Sequence, residues 1–473
     1  MFPNDRRNKG GSSDTDGGHY TMMRSLYAGV SGLKTHQTRM DVIGNNIANV
    51  NTVGYKSQSV TFSDMLYQTT SAASGPNSTT GTGGTNAQQI GLGVKTGAIS
   101  TAISTAGAAE TTNNPFDIEI TGDSFFVVNN GSSNYFTRDG SFNVDASGNL
   151  VMSSTGYNVM GWQTDSSGNI KKDTVSALKV MSTSNMTYPA AATTKSYLSG
   201  IVDKNDTNVT STAGKSITLQ LYDSLGYSYT AKYAVNSTGT DGTYSVKLTS
   251  LTDDTTNKDV TSTAGAVLSS TSGGASATMY LHYNTSTGAF INVSSSSTDT
   301  TSTGTTAYLN FSGTNFSTVS MDFSATTNVN NSGTSTVAIT PGDSSGVGTG
   351  RKVGTMTGVS ISKDGEIYAS YSNSQKKLLG QIAVAEFANA SGLSKEGDNL
   401  YSETQNSGSF NGTGVDITSD GGYMTTGELE MSNVDLSTEL TDMIVTQRGF
   451  QANSRIITVS DSMLEELVNL KRS

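Results

Sequence analysis

The sequence predicts an α+β protein of several domains, in which α-helices at the two ends pair as a coiled coil and mainly antiparallel β domains, nested outward, lie between them. Apolar residues recur every seven positions near both termini, whereas apolar and polar residues alternate in the middle, where glycine and asparagine mark frequent turns. The length of 473 residues also corresponds to about three domains of ~150 residues each.

The first helix is predicted between residues 23 and 50, where the chain contains no proline. Its apolar residues repeat every seven positions, which is typical of a coiled-coil seam. This stripe consists of Leu26, Leu33, Met40 and Ile47, with Val30 on the flanking position. Residues 1–22 are polar and are predicted as an extension, and we expect translation to begin at Met22 or Met23.

A second helix with the same repeat is predicted at the other end of the chain. Its stripe consists of Leu436, Met443, Phe450, Ile457 and Leu464, with Leu440 and Val468 on the neighbouring stripe. Because each stripe covers only part of its helix, the two helices are predicted to pair in an inner domain of residues 23–68 and 428–473. Apolar residues on other faces indicate a second contact, either with another subunit or within one monomer: Ile43, Ile456, Met463 and Leu467.

Two stretches with strand-like alternation are predicted to form a middle β domain of residues 111–180 and 351–427. The pairs Asp139-Gly140 and Asp364-Gly365 favour hairpin turns within it. Between the first helix and this domain, residues 69–110 are rich in Ser, Thr and Gly. That composition predicts an extended or flexible linker.

The insert of residues 181–350 is predicted as an outer β domain. Short alternating runs, such as Ile217, Leu219 and Leu221, suit an antiparallel sandwich or barrel. Residues 251–350 contain 42 Ser or Thr, a composition that also occurs in disordered segments. The alternating aliphatic and aromatic residues favour ordered strands joined by long, Thr-rich loops.

Composition argues against several classes of function. Charged residues make up 14% of the chain, against ~25% in an average soluble protein, and the net charge is −11. A negative chain repels phosphate backbones and anionic lipids, so neither nucleic acid nor membrane is an expected partner. No cysteine is present and only three histidines occur, so we expect no catalytic, metal or cofactor-binding residues.

Three motifs that resemble ligand sites fail on inspection. Residues 91–96 look faintly like a phosphate loop, but Val94 precedes the lysine where a glycine is required. Residues 145–149 and 165–169 lack the oxygen ligands of a calcium loop and are interpreted as hairpin turns. His282 has no second ligand nearby and is predicted to lie on a strand surface, while nothing marks His36 as a catalytic base.

The two terminal runs carry a resemblance to a known family. Residues 23–33 and 41–56, including Asn45, Asn46, Asn49 and Gly54, resemble the signature of bacterial flagellar rod, hook and hook-junction proteins. Residues 433–472 are similar to the hook members in particular and include Gln447, Arg448 and Asn453. Residues 116–128 and 135–161 resemble the shared β domain, and residues 221–226 the start of the outer domain of the hook.

The resemblance implies a non-enzymatic subunit that polymerises with copies of itself into a curved, hollow universal joint, the hook, and transmits torque from rod to filament. Implied partners are the hook cap, the distal rod protein, the hook-filament junction protein and the flagellar export apparatus. The implied location is extracellular, in the flagellum, after export without a cleaved signal peptide. Alternatives are a distal rod or other flagellar axial protein, or a Ser/Thr-rich surface adhesin.

Overall fold

The structure, a computed structural model, describes residues 15–76, 81–165, 167–275, 278–299, 301–313 and 315–470. Of the predicted N-terminal extension, residues 1–14 lie outside the described residues, and residues 15–22 form the start of the first helix. The side chain of Leu467 also lies outside them. No helix among the described residues is long and apolar enough to cross a membrane.

The described residues form two long helices and two single turns of helix, together with two short 3₁₀ turns at Ala390–Gly392 and Ile417–Asp420. The helices are α1 (Thr15–Ala48), α2 (Thr207–Thr210), α3 (Thr261–Ala264) and α4 (Leu436–Leu470). Asp435 caps the start of α4, where its carboxylate accepts hydrogen bonds from the backbone N–H groups of Ser437 and Thr438. The terminal helices therefore lie where the seven-residue repeats predict them.

The other regular elements of the described residues are β-strands. In chain order they are β1 (Gln58–Asp64), β2 (Tyr67–Ser71), β3 (Gln88–Gly91), β4 (Val94–Thr101), β5 (Ala109–Thr111), β6 (Ile118–Ile120), β7 (Phe125–Asn129), β8 (Asn134–Thr137), β9 (Phe142–Val144), β10 (Leu150–Met152), β11 (Asn158–Gln163), β12 (Ser176–Ala177), β13 (Thr187–Tyr188), β14 (Lys195–Ile201), β15 (Lys215–Tyr222) and β16 (Ser228–Ser237). They continue with β17 (Thr243–Asp253), β18 (Val267–Ser269), β19 (Met279–Tyr283), β20 (Phe290–Ser294), β21 (Thr306–Asn310), β22 (Val319–Thr327), β23 (Ala338–Pro341), β24 (Gly354–Ile361), β25 (Glu366–Tyr371), β26 (Lys376–Ile382), β27 (Val384–Ala385), β28 (Ser394–Gly397), β29 (Leu400–Ser402), β30 (Met424–Thr426) and β31 (Glu428–Glu430).

The chain forms two compact units. The first contains the described residues up to Met181, Val359–Tyr368 and the described residues from Leu378 onward, and the second contains Ser182–Gly358 and Ala369–Lys377. In the first unit, β11 pairs with β7, β10, β12 and β26, and β7 continues through β8 to β29 and β28. Its core contains Phe125, Val127 and Phe136, all fully or almost fully buried.

In the described part of the second unit, two five-stranded sheets share one apolar core. Their strand orders are β15-β16-β17-β19-β20 and β18-β21-β22-β14-β23. Every pairing in them is antiparallel except that of β14 with β22. Leu219, Tyr233 and Met321 are fully buried in the core, so the alternation predicts which side chains point inward.

Buried carboxylates tie loops of the second unit together. Asp203 accepts hydrogen bonds from the backbone N–H groups of Asn331 and Gly333, at 2.7 and 2.9 Å. Burial raises the pKa of Asp206, but hydrogen bonds donated by Asn208 and Ser335 outweigh this effect and lower the pKa to about 2. Asp203 and Asp206 thus hold neighbouring loops of the second unit in place through hydrogen bonds to their backbone.

The segment predicted as a linker, residues 69–110, is paired over much of its length. β4 pairs with β1, and β3 pairs with β2. Gly93 has a φ of 121° and lies so close to α1 that a Cβ atom would meet Ser31 and the backbone of Ala28. Composition does not reveal these pairing partners, because Thr and Ser residues suit strands as well as linkers.

Two predictions about turns and histidines have different outcomes. Asp145 accepts backbone hydrogen bonds from Ser147 and Asn149 in the turn between β9 and β10, as a hairpin requires. His282 is buried rather than on a strand surface, and its Nε2 lies 3.1 Å from the carbonyl oxygen of Ser296. The prediction for His282 is wrong because both faces of β19 are covered over much of the strand.

Candidate assembly interface on the terminal helices

The helices α1 and α4 pack against each other in antiparallel orientation. Contact positions rise along α1 as they fall along α4, and the pairs are Ser25 with Ser460, Gly29 with Ile457, Gly32 with Asn453, His36 with Gly449, Arg39 with Asp442 and Asn46 with Glu439. The positions on α1 are separated by steps of three or four residues, apart from the last. Such spacing keeps one line of residues facing the partner helix.

Glycines bring the two helices close together. A Cβ atom on Gly32 would lie 2.8 Å from the side chain of Asn453, and one on Gly449 would lie 2.6 Å from the ring of His36. A Cβ atom on Gly29 would lie 3.3 Å from Ile457. Gly44, on the same helix, has nothing within 4 Å of that position. The first three glycines therefore serve the contact, whereas Gly44 does not.

Polar groups also cross the contact between the helices. Arg39 Nη2 lies 2.9 Å from Asp442 Oδ2, and Asn46 Nδ2 donates to Glu439 Oε1 at 2.8 Å. Burial raises the pKa of Glu439 above its ordinary value. Burial also lowers the pKa of His36, and the neighbouring Arg39 lowers it further. The neutral imidazole is therefore favoured where His36 packs against α4.

Apart from Ile457, which packs against Gly29, the residues of the predicted apolar seam lie beside this line of contact. On α1, Leu26, Leu33, Met40 and Ile47 are half-buried, Val30 is exposed and Ile43 is buried. On α4, Met443, Ile457 and Leu464 are half-buried, whereas Leu436, Leu440, Phe450 and Val468 are exposed. Most of the closest contacts within the chain thus use small and polar residues, and five side chains of the predicted seam stay exposed in the monomer.

Part of α4 presents apolar side chains to solvent. Ile444 is 59% exposed and Val459 is 51% exposed, and Val445, Ile456 and Met463 are exposed as well. A groove of about 650 Å³ runs along this surface, bordered by Ile456, Val459 and Met463 together with polar residues of α4 and Ser25 of α1. Contiguous exposed apolar groups of this kind mark interaction surfaces.

The residues of the terminal motifs divide into two groups. Asn46 is fully buried and bonds to the backbone of Gln58 and to Tyr55 Oη, which also accepts from Asn45. The Asn49 side chain accepts a hydrogen bond from Thr52 in the turn after α1. On α4, the half-buried Asn453 donates to the backbone of Gly449, while Gln447 and Arg448 are exposed. The three N-terminal asparagines therefore lie close together at the end of α1. Gln447 and Arg448 do not contact them.

Beside the end of α1 lies a buried ion cluster that the sequence analysis missed. Lys56 Nζ lies 2.6 Å from Glu430 Oε1, Arg138 Nη1 lies 3.4 Å from Glu430 Oε2, and the Lys56 and Glu430 side chains are 1% exposed. Lys56 also donates to the carbonyl of Thr105, and Glu430 accepts from the N–H of Gly107. Burial lowers the pKa of Lys56, although Glu430 opposes this shift. The cluster links the segment after α1 to the strand that precedes α4.

Gly54, a residue of the N-terminal motif, allows that segment to reach the cluster. Its φ is 67°, a conformation that favours glycine. A Cβ atom there would lie 2.9 Å from the backbone of Arg138 and Asp139. Its N–H donates to the carbonyl of Glu430 at 2.7 Å. The presence of Gly54 directly before Tyr55-Lys56 is the signal in the sequence that could have indicated a closely packed position.

No group of three or more His, Cys, Asp or Glu side chains suited to a metal ion occurs in the part of the chain that the structure describes. The arrangement of α1, α4 and the ion cluster is that of a structural contact. It holds the two ends of the chain together and presents one face of α4 outward.

Three family models match the chain. Residues 26–56 match "Flagella basal body rod protein", residues 119–196 match "Flagellar hook protein FlgE/F/G D1 domain", and residues 425–470 match "Flagellar basal body rod FlgEFG protein C-terminal". The first and last of these segments contain the regions of α1 and α4 described above.

Three similar proteins extend over almost the whole chain. The flagellar hook proteins FlgE of Treponema pallidum and Borreliella burgdorferi are 35% and 36% identical, and each alignment covers 95% of this chain and 100% of the relative. The flagellar basal-body rod protein FlgG of Bacillus subtilis is 29% identical over the same shares. With its terminal helices, β-rich middle and these relatives, the chain belongs to the flagellar hook protein (FlgE) family.

Proposed function

We propose that this chain is a subunit of the bacterial flagellar hook that assembles with copies of itself into a curved, hollow tube and transmits torque from rod to filament. The observation that carries this proposal is the exposed apolar face of α4, which lies next to a tightly packed α1. An exposed apolar helix face favours burial against another surface. In a polymer, that surface is supplied by the terminal helices of other copies.

Coiled-coil pairing of α1 and α4 is part of the proposal. The antiparallel contact and its three- and four-residue steps support it. The pair then acts as one rigid element whose outer stripes are available to neighbours. The predicted assembly residues on these stripes include Val30 and Leu33 on α1 and Leu440, Phe450 and Val468 on α4.

Identical subunits that contact each other through two different surfaces, without closing into a ring, form a helical filament. The terminal helices would line the inside of such a tube and resist twisting. The middle and outer β domains would lie outside these helices. Contacts between the outer domains of neighbouring subunits would form and slip as the tube bends. Because only 14% of residues are charged, few strong ion pairs would hold those outer contacts in place.

Assembly is tested by placing a charge on the exposed face of α4. We expect Val459→Asp, alone or with Ile444→Asp, to abolish polymerisation, because a carboxylate cannot be buried there without a partner. The monomer should stay folded, since both side chains are already exposed. Sedimentation and electron microscopy measure assembly, and circular dichroism measures folding.

Val347→Asp is the matched control, because Val347 is an exposed valine of the second unit. It should assemble as the unaltered chain does. Filaments of normal length from Val459→Asp at the usual subunit concentration would refute the proposed role of this face.

A rod subunit is the second candidate function. The rod protein of Bacillus subtilis aligns over its full length, so chain length does not separate the two candidates. Higher identity to the two full-length hook proteins favours the hook. The proposed partners are accordingly the distal rod protein, the hook cap, the hook-filament junction protein and the export apparatus, and the proposed location is the extracellular flagellum.

Deletion of the gene distinguishes the two candidates. We expect cells without it to retain the rod and lose the curved segment beyond it, because the proposed hook lies between the rod and the filament. Electron microscopy of isolated basal bodies measures this directly, with the complemented strain as control. Basal bodies with a truncated rod would instead assign the chain to the rod.

A further inference from the structure

Most of the charged side chains on α4 are not used within the chain. Asp442 pairs with Arg39 and Glu439 accepts a hydrogen bond from Asn46, so these two carboxylates belong to the contact with α1. The other charged residues of α4 are exposed and form no ion pair with any residue that the structure describes: Arg448, Arg455, Asp461, Glu465 and Glu466. Their charges are therefore available to another molecule.

Two of these residues, Arg448 and Arg455, border the groove of about 650 Å³ on α4. They are seven residues apart and so lie almost in line along the helix. The apolar border of the groove is formed by three exposed side chains: Ile456, Val459 and Met463. The described residues that border the groove include no carboxylate, and Glu466 lies beyond its end. This basic face thus combines an exposed apolar surface with two positive charges.

A second exposed face of α4 carries the opposite charge. At about 100° per residue, Asp461 and Glu465 lie about 110° around the helix from the two arginines. Four exposed apolar residues of the predicted seam share this acidic face: Leu436, Leu440, Phe450 and Val468. Gly449, Asn453 and Ser460, which meet α1, belong to neither face. Both faces are therefore open while α1 and α4 are paired.

The two faces are complementary in hydropathy and in charge. A copy of the chain that places its acidic face against the basic face of a neighbour buries apolar side chains of both and brings carboxylates to guanidinium groups. Because the two faces differ, such a contact need not close on itself, and each copy can bind one neighbour on either side. A contact between two identical basic faces would instead bring arginines together, which is unfavourable.

We propose that the basic face of α4 in one copy binds the acidic face of α4 in the next copy, so that two arginines pair with two carboxylates. The pairs are Arg448 with Asp461 and Arg455 with Glu465. Their members are 13 and 10 residues apart in the sequence. For two nearly parallel helices, one shift of about 15–20 Å along the axis brings both pairs together, at about 1.5 Å per residue. This inference rests on the proposed assembly and names the surfaces that meet in it.

Charge reversal on one face at a time tests the contact. Arg448→Glu with Arg455→Glu makes both faces acidic, and Asp461→Lys with Glu465→Lys makes both faces basic. Each variant should stay folded, because the four side chains are exposed, and circular dichroism checks this. We expect either variant alone to raise the critical concentration for polymerisation at least about tenfold, because like charges then meet. Sedimentation measures the critical concentration.

An equal mixture of the two variants is the decisive measurement. Every contact between unlike copies then joins faces of opposite charge. The mixture should therefore polymerise close to the critical concentration of the unaltered chain, and mass spectrometry should find both variants in the pelleted filaments. The proposal is overturned if either variant assembles alone as the unaltered chain does, or if the mixture assembles no better than its components.

Glu110→Lys and, separately, Lys376→Glu are the controls, because each reverses an exposed charge on a β-strand away from the terminal helices. Both should assemble as the unaltered chain does. If the unaltered chain polymerises and the mixture does not, this contact alone is refuted. If the unaltered chain itself does not polymerise, the proposed function is refuted instead.

Discussion

Glu430→Gln is expected to lower the free energy of unfolding of the first unit by about 3–5 kcal/mol, because it removes the buried carboxylate that faces two buried cations. The substitution keeps the shape of the side chain and its acceptor for the Gly107 N–H. It removes the negative charge that faces Lys56 at 2.6 Å and Arg138 at 3.4 Å. Its effect therefore measures charge pairing rather than packing.

The single tryptophan provides the measurement. Trp162 is 2% exposed on β11, and its Nε1 donates to the backbone of Asp173 and Thr413, so its fluorescence reports unfolding of the first unit. Urea unfolding of the full chain gives the free energy. Glu428→Gln, the same change two residues away on a half-buried side chain, is the control and should cost less than about 1 kcal/mol. A loss from Glu430→Gln as small as that of the control would contradict the role of the cluster.

The sequence predicts the terminal helices because a repeat of apolar residues persists over five turns or more in each. It does not predict which face of α1 meets α4. Leu26 and Leu33 lie one position away from Ser25 and Gly32, which make the contact. Hydropathy identifies an apolar stripe that favours burial, but it does not identify the surface that buries it. Close packing of α1 on α4 depends instead on small side chains.

The buried ion cluster could not be predicted for a different reason. Lys56, Arg138 and Glu430 are far apart in the chain, and an isolated charged residue is normally a solvated one. Their encounter depends on the strands that place residues 54–56 beside β31. The strands of the insert were easier to predict, because alternation at Ile217, Leu219 and Leu221 reports burial directly.

The exposed apolar face of α4 shows both what hydropathy can predict and what depends on the fold. Ile456 and Met463 stand out in the sequence as apolar residues on a second face of α4, and the structure leaves both exposed. Ile43 carries the same signal but is buried within the chain, where α1 also packs on β1 and β4. The sequence identifies apolar faces that require a partner, but only the fold tells which of them the chain itself covers.

Gly32→Leu is expected to separate α4 from α1 in the folded monomer. At this position a Cβ atom alone would lie 2.8 Å from Asn453, so a leucine side chain cannot enter unless the helices move apart. Overpacking of this kind costs about 1–3 kcal/mol. Helix propensity acts in the opposite direction, since leucine is favoured over glycine by up to about 1 kcal/mol in a helix interior.

Gly44→Leu isolates the contribution of propensity, because nothing lies within 4 Å of a Cβ atom at Gly44 on the same helix. The two variants should therefore change the hydrogen-exchange rate in opposite directions. Gly44→Leu should slow exchange of the backbone amides of α1 and α4, and Gly32→Leu should speed it up. Hydrogen exchange of α4 backbone amides, measured by mass spectrometry on the full-length monomer, detects the difference. If the amides of α4 exchange equally slowly in both variants, the close contact at Gly32 does not hold the terminal helices together. If Gly32→Leu alone exposes them, Gly32 is required for the helix pair from which we propose the hook is assembled.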